Sequence, residues 1–127
     1  MQKVTGEFDV KMIPQDDGDA AVGRMLLEKR YQGPLEAEAK GQMLAHRTAV
    51  LGSAGYVAME KVTGSLEGRQ GSFVLQHCGI MDRGLPSLSV TVVPDSGTGE
   101  LEGLTGSLDI KIEGGRHYYR FEYQLPA

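Results

Sequence analysis

Thr63-Gly64-Ser65-Leu66-Glu67-Gly68-Arg69-Gln70-Gly71-Ser72-Phe73 returns as Thr98-Gly99-Glu100-Leu101-Glu102-Gly103-Leu104-Thr105-Gly106-Ser107-Leu108. A fragment of the same pattern, Val4-Thr5-Gly6-Glu7-Phe8, opens the chain. Self-similarity of this kind marks one supersecondary unit used more than once, here strand, glycine-punctuated connection, strand. Each copy runs into an alternating stretch, so the repeat also sets side-chain register. Phe73 aligns with Leu108, Leu75 with Ile110, and His77 with Ile112.

Outward from the repeat, period-two alternation recurs along the whole chain. Phe8, Val10 and Met12 alternate with Glu7, Asp9 and Lys11. Leu35, Ala37, Ala39, Gly41 and Met43 alternate with Glu36, Glu38, Lys40 and Gln42. Leu88, Val90 and Val92 alternate with Ser87, Ser89 and Thr91, and His117, Tyr119, Phe121, Tyr123 and Leu125 with Tyr118, Arg120, Glu122 and Gln124. Turn chemistry separates the runs: Pro14 to Gly18, Gly33-Pro34, Gly52 to Gly55, Asp82 to Gly84, Pro94 to Gly97, and the two-residue hairpin signal Gly114-Gly115. With Ala20 to Tyr31 included, about eight strands result, at the spacing of an all-β sandwich or barrel. A helical hairpin is the competing reading for Ala20 to Ala45, with Asp19 as its cap and good helix formers in Leu35 to Ala45. Strict alternation from Leu35 to Met43, interrupted by Gly41, favours strands. Long strands with few prolines leave hazardous edges unless the sheet closes. The expected fold is therefore an eight-stranded antiparallel closed barrel, with room inside for side chains or one small ligand. Small inward residues (Ala37, Ala39, Gly41, Ala58) suit a cavity wall or tight packing against aromatics.

At 127 residues the chain fits one domain spanning 1–127. Surface scaling gives roughly 6,600 Å² of accessible area when folded, enough burial for one core. Its 18 glycines are about twice the usual share, which points to many turns and close backbone approaches. A net charge of −4 with scattered basic residues argues against nucleic acid. The lone Cys78 provides no disulfide framework and is expected as an inert packing residue, in a cytoplasmic setting. Met1 to Gly6 carries no apolar signal core, and no run is long enough to span a membrane.

The runs Gly55-Tyr56-Val57-Ala58-Met59-Glu60, Gly71-Ser72-Phe73-Val74-Leu75-Gln76-His77 and Val92-Val93-Pro94-Asp95-Ser96-Gly97-Thr98-Gly99-Glu100-Leu101 resemble a bacterial family, domain of unknown function 3224. That family is similar in fold to the allene oxide cyclase and dirigent barrels. The resemblance implies an allene oxide cyclase-like barrel, often oligomeric, among families that bind apolar molecules or steer the cyclisation of reactive intermediates. It implies no assigned activity, and fold analogy alone warrants little about function.

Chemistry rests on few residues. The repeat sends His77 inward, where its counterpart copy has an isoleucine. Such a ring is either a neutral histidine satisfied by a carbonyl or a tyrosine hydroxyl, or part of a site. Glu60 faces in if Tyr56, Ala58 and Val62 do. It is an ordinary exposed carboxylate if Val57 and Met59 take the interior instead. Facing in, it can pair with His77 as acid and base on a ligand. Tyr56, Phe73, His117, Tyr119, Phe121 and Tyr123 are the candidate ligand-contacting aromatics, or simply the core of a small barrel. Arg24, Glu28 and Arg30 share one parity on the second strand and compete with Met25, Leu27 and Tyr31 for the interior. Ser96-Gly97-Thr98-Gly99 is not a phosphate loop, since no lysine follows and no helix is expected there. His46, His77 and His117 show no metal-ligand spacing, so neither a metal nor a cofactor is expected.

Two functions follow. One is a barrel that binds an apolar small molecule, with isomerisation or cyclisation of that molecule as a further step; the residues leave open whether it is an enzyme. The other is a structural or interaction module, acting as a homo-oligomer through outward residues such as Val57, Met59, Val74 and Val93.

Overall fold

The computed structural model describes residues 1–16 and 21–126. Eight strands run in chain order: β1 (Gln2–Gln15), β2 (Gly23–Gln32), β3 (Leu35–Arg47), β4 (Ala54–Leu66), β5 (Arg69–Asp82), β6 (Leu85–Val92), β7 (Thr105–Glu113) and β8 (Arg116–Gln124). Each is antiparallel to the next, and β8 pairs with β1 to close the barrel. The segment weighed as a helical hairpin is thus the hairpin β2–β3, with Tyr31 opposite Ala37 and Gly23 opposite Ala45. No helix of the described residues is long and apolar enough to cross a membrane.

Three hairpins turn through residue pairs with positive φ, Glu67-Gly68, Arg83-Gly84 and Gly114-Gly115. This is the backbone hand that matches the right-handed twist of the flanking strands. Two expected turns differ. Pro14 stays in β1 opposite Met25, so that strand runs on to Gln15; the rest of the Pro14 to Gly18 turn lies mostly outside the described residues. The Pro94 to Gly97 turn runs on into a three-residue 3₁₀ turn at Gly99–Leu101 before β7 begins.

That turn qualifies the repeat. In the first copy Thr63 to Leu66 belongs to β4, whereas the matching Thr98 to Leu101 is loop and 3₁₀ turn. Those residues dock on β5 instead of joining the ladder. Thr98 Oγ1 accepts the Ser72 N–H at 3.0 Å, Ser96 Oγ accepts that of Val74 at 3.0 Å, and Glu100 Oε1 accepts that of Gln70 at 3.0 Å. The serine and threonine of Ser-Gly-Thr-Gly are thereby engaged with the barrel's own backbone. Burial follows the alignment at Leu66 and Leu101 and at Phe73 and Leu108, but not at its far end, where buried His77 aligns with Ile112, which lines the cavity mouth at 66% exposure.

The barrel has two unlike halves. Where β2–β3 and β4–β5 turn, the interior is solid, filled by Leu35, Leu66, Phe73, Leu101, Leu104 and Phe121. Tyr119 bonds this end to the chain, accepting the Leu35 N–H at 3.0 Å and donating to the Gln32 carbonyl at 2.9 Å. The opposite half is open. Long strand ends rise past the core there, and the accessible area of 8051 Å² exceeds the value expected from chain length. The wall is thinnest between β6 and β7, which meet in one register pair, Thr91 and Ser107. Cys78, expected as packing, is exposed on the outer face of β5.

Candidate functional site

The open half encloses an apolar cavity of about 480 Å³. Four of the chain's six methionines line it, Met12, Met25, Met43 and Met81. Thioethers on flexible stems give a wall that can adjust to an occupant's shape. Leu88 of β6 and Ile110 of β7 stand on either side of the short seam. All three histidines, His46, His77 and His117, line this one cavity although they lie far apart in sequence. Among the described residues, no group of three His, Cys, Asp or Glu side chains is arranged to hold a metal ion.

At the cavity's floor, period-two alternation brings four polar side chains inward. On β2 the inward set is Leu27, Lys29 and Tyr31; on β4 it is Ala58, Glu60 and Val62; on β5 it is Leu75 and His77. The question left open for β4 is thus resolved in favour of an inward Glu60, which is 1% exposed. Val57 and Met59 face out, at 50% and 46% exposure. His77 is 3% exposed and faces in, as the repeat required.

Glu60 is the hub. Its Oε2 lies 2.9 Å from Lys29 Nζ, and its Oε1 accepts the Tyr31 hydroxyl and lies 3.4 Å from His77 Nε2. β3 stands between Lys29 and Glu60, and its inward residues explain how they meet. Ala39 is opposite Lys29 on one side and Val62 on the other, while Gly41 is opposite Leu27 and Glu60. Two minimal side chains leave the space through which the lysine crosses. A Cβ at Gly41 would overlap the Met59 carbonyl and come within 2.7 Å of Glu60 Cα. The Lys29 ammonium also sits 5.2 Å from the Phe8 ring centroid and 5.9 Å from that of Tyr31, within cation–π range.

Burial by itself would push the Glu60 carboxyl upward. The imidazole of His77, the Lys29 charge and the Tyr31 hydroxyl outweigh it, and its pKa is held below the ordinary carboxylate value. The Tyr31 hydroxyl is pushed well above the usual phenol value, by burial first and then by the Glu60 charge. Glu60 Oε2 and His77 Nε2 are nonetheless buried atoms without a hydrogen-bond partner among the described residues. Both stand at ion-pair distance from a neighbour without hydrogen-bond alignment. Lys29 and His77 reach the cavity, and Glu60 and Tyr31 sit behind them.

The aromatic candidates divide between the two halves. Tyr56 and His117 line the cavity. The Tyr56 ring lies against Gly79, where a Cβ would meet its Cδ1 at 2.7 Å. Phe73, Tyr119, Phe121 and Tyr123 are instead in the solid half: Phe73 stacks on Phe121 at 5.8 Å, and the Tyr123 hydroxyl bonds Glu67. Arg24, Glu28 and Arg30 do not form a polar floor. Glu28 and Arg30 are exposed, and the Arg24 guanidinium bonds Gln42 at 3.0 Å. Lys29 is the residue that sequence reasoning missed. Its signal was present in Leu27-x-Lys29-x-Tyr31, one charge at the centre of an inward-facing triplet.

A family model described as a protein of unknown function (DUF3224) matches residues 4–123. The chain belongs to this family. The crystal structure of a DUF3224 protein of unknown function from Shewanella oneidensis MR-1 is 53% identical, with a TM-score of 0.93, covering 100% of this chain and 99% of that one. No curated protein matches the chain. Within the DUF3224 family the barrel is thus seen in a second member. The Ser-Phe-Val-Leu-Gln-His run of this member lies on β5 and ends at the cavity floor.

Proposed function

We propose that this barrel binds an apolar small molecule in its open half, with Lys29 and His77 meeting the polar end of that molecule. The observation that carries the reading is a cavity of about 480 Å³, within the usual range for small-molecule sites, closed at its floor by a buried polar cluster. Buried polar atoms normally find partners, and His77 Nε2 has none of its own. An occupant with one polar end would satisfy the floor while its body covers the apolar wall. Any acid–base step on such a molecule would run through His77, the member of the pair that reaches the cavity, with Glu60 holding it from behind.

Titration with the neutral dye Nile red tests this. Saturable one-to-one binding is expected, and Ala58→Phe, which fills the cavity beside His77, should abolish it while the far-ultraviolet circular dichroism stays that of a β-barrel. Unchanged dye binding in a folded Ala58→Phe protein would rule the cavity out.

A second reading draws on the outer wall. Leu44 is opposite Val57, and Val57 opposite Cys78, so an apolar strip crosses β3, β4 and β5 at 44% and 50% exposure for its two aliphatic members. We read this strip as a self-association surface, acting alongside the cavity. Sedimentation of Val57→Lys should then show a smaller species than the parent, and a monomeric parent would remove the reading.

A further inference from the structure

The charged side chains that line the cavity are opposite in sign to the protein's net charge. The whole chain carries −4, yet the charged side chains lining the cavity are Lys29 and Arg47, and no described aspartate or glutamate lines it. His46, His77 and His117 are the remaining titratable imidazoles on that wall. Behind the floor stands one carboxylate, Glu60, paired with Lys29 at 2.9 Å, while Arg47 lies apart at the exposed mouth.

From this we infer that the ligand is an apolar monocarboxylic acid, bound as its anion with the carboxylate on Lys29 and His77 at the cavity floor. The inference rests on the binding function proposed above and names the chemical class of the ligand.

Geometry favours the floor over the rim. An ammonium has three N–H donors, and Glu60 approaches Lys29 from one side, at 2.9 Å. Lys29 also lines the cavity, which leaves N–H bonds beyond the one taken by Glu60 for an acceptor arriving from that side. His77 lines the same floor from β5, and its Nε2 has no hydrogen-bond partner among the described residues. Both lie beside Glu60, at 2.9 and 3.4 Å, so a carboxylate entering from the cavity side shares them with Glu60, drawn by the Lys29 ammonium and opposed by the Glu60 charge. Arg47, by contrast, is exposed at the mouth, where water screens its charge. The apolar wall above the floor takes the hydrocarbon body, and four methionines let it accept chains of different shape.

Decanoate and decanamide, equal in chain length and differing in head-group charge, provide the test by isothermal titration calorimetry. Decanoate should bind at least about tenfold more tightly, because charge-assisted hydrogen bonds are roughly twice as strong as neutral ones. The preference should vanish in the double variant Lys29→Met/Glu60→Gln, which removes both buried charges together, while the far-ultraviolet circular dichroism stays that of a β-barrel. His77→Asn leaves the ion pair in place and should weaken the preference; it decides the matter if the double variant does not fold. Equal affinity for acid and amide, with Nile red bound, overturns the inference and leaves the binding function standing. A preference that survives both variants, or moves to Arg47→Gln, overturns the placement at the floor. Failure of decanoate, decanamide and Nile red alike removes both readings.

Discussion

Lys29 and Glu60 form an ion pair at 2.9 Å across a strand that lies between them. Neither is exposed: their side chains are 6% and 0% accessible. Removing one partner of such a pair leaves an uncompensated buried charge, at a cost of about 3–5 kcal/mol. Glu60→Gln and Lys29→Met should each destabilise the barrel by that order in urea titrations. The double variant Lys29→Met/Glu60→Leu should recover much of the loss, since a buried pair replaced by apolar residues is often neutral. Losses that simply add in the double variant would show that the two side chains do not depend on each other.

The depressed Glu60 carboxyl gives the pair a pH dependence of known sign. A carboxyl whose folded value lies below its unfolded value binds fewer protons in the native state. Its contribution is complete above the unfolded value, about 4.3, and is lost as pH falls through the lower folded value. Wild-type stability should therefore fall below about pH 4.3 more steeply than that of Glu60→Gln, and the gap between the two should narrow with acid. Parallel curves for urea midpoint against pH would contradict the assignment.

The eight strands and barrel closure were legible because alternation, turn residues and edge protection all point the same way. The facing of His77 was legible too, since its position aligns with Ile112 in a copy whose other face is plainly polar. Glu60 was not, because Tyr56-Val57-Ala58-Met59 puts apolar residues on both parities of β4. What makes room for it inside is Gly41 on the adjacent strand, a cross-strand relation that a single run cannot display. Lys29 escaped notice for a related reason: a lysine among inward residues reads as an error of register until a carboxylate two strands away is known to meet it. The first half of the second repeat misled because Thr98-Gly99-Glu100-Leu101 has the composition of Thr63 to Leu66 but docks on β5 rather than pairing in the ladder.

Gly41 offers a test of that cross-strand relation. A methyl group there would meet the Met59 carbonyl and Glu60 Cα, backbone atoms that cannot step aside as a flexible side chain can. Gly41→Ala should cost about 1–3 kcal/mol or more as an overpacking change. The same substitution at Gly68, where nothing lies within 4 Å of the added carbon, isolates the backbone cost of a positive φ of 84°. Gly41→Ala should also shift the His77 and Lys29 resonances in nuclear magnetic resonance spectra, and Gly68→Ala should not. Equal spectra for the two variants would mean that Gly41 does not set the position of Glu60.

The tyrosines carry the alkaline counterpart. Tyr123 is pushed up to about 12, by burial first and then by the hydrogen bond and charge of Glu67. Tyr31, Tyr56 and Tyr119 are raised as well, with burial the leading cause in each. A phenol raised in the folded state holds its proton longer than the unfolded chain does. Its contribution is complete below the unfolded value of about 10 and is lost as pH rises from there towards 12 for Tyr123. Phenolate absorbance of the native protein should accordingly lag that of the urea-unfolded chain through this window. Tyr123→Phe should remove amplitude from the late part of the native curve, and Glu67→Gln should bring that part to lower pH by withdrawing the carboxylate's charge. A native titration that superimposes on the unfolded one would mean that these hydroxyls are reached by solvent, and with that the solid half of the barrel would lose its main polar anchors.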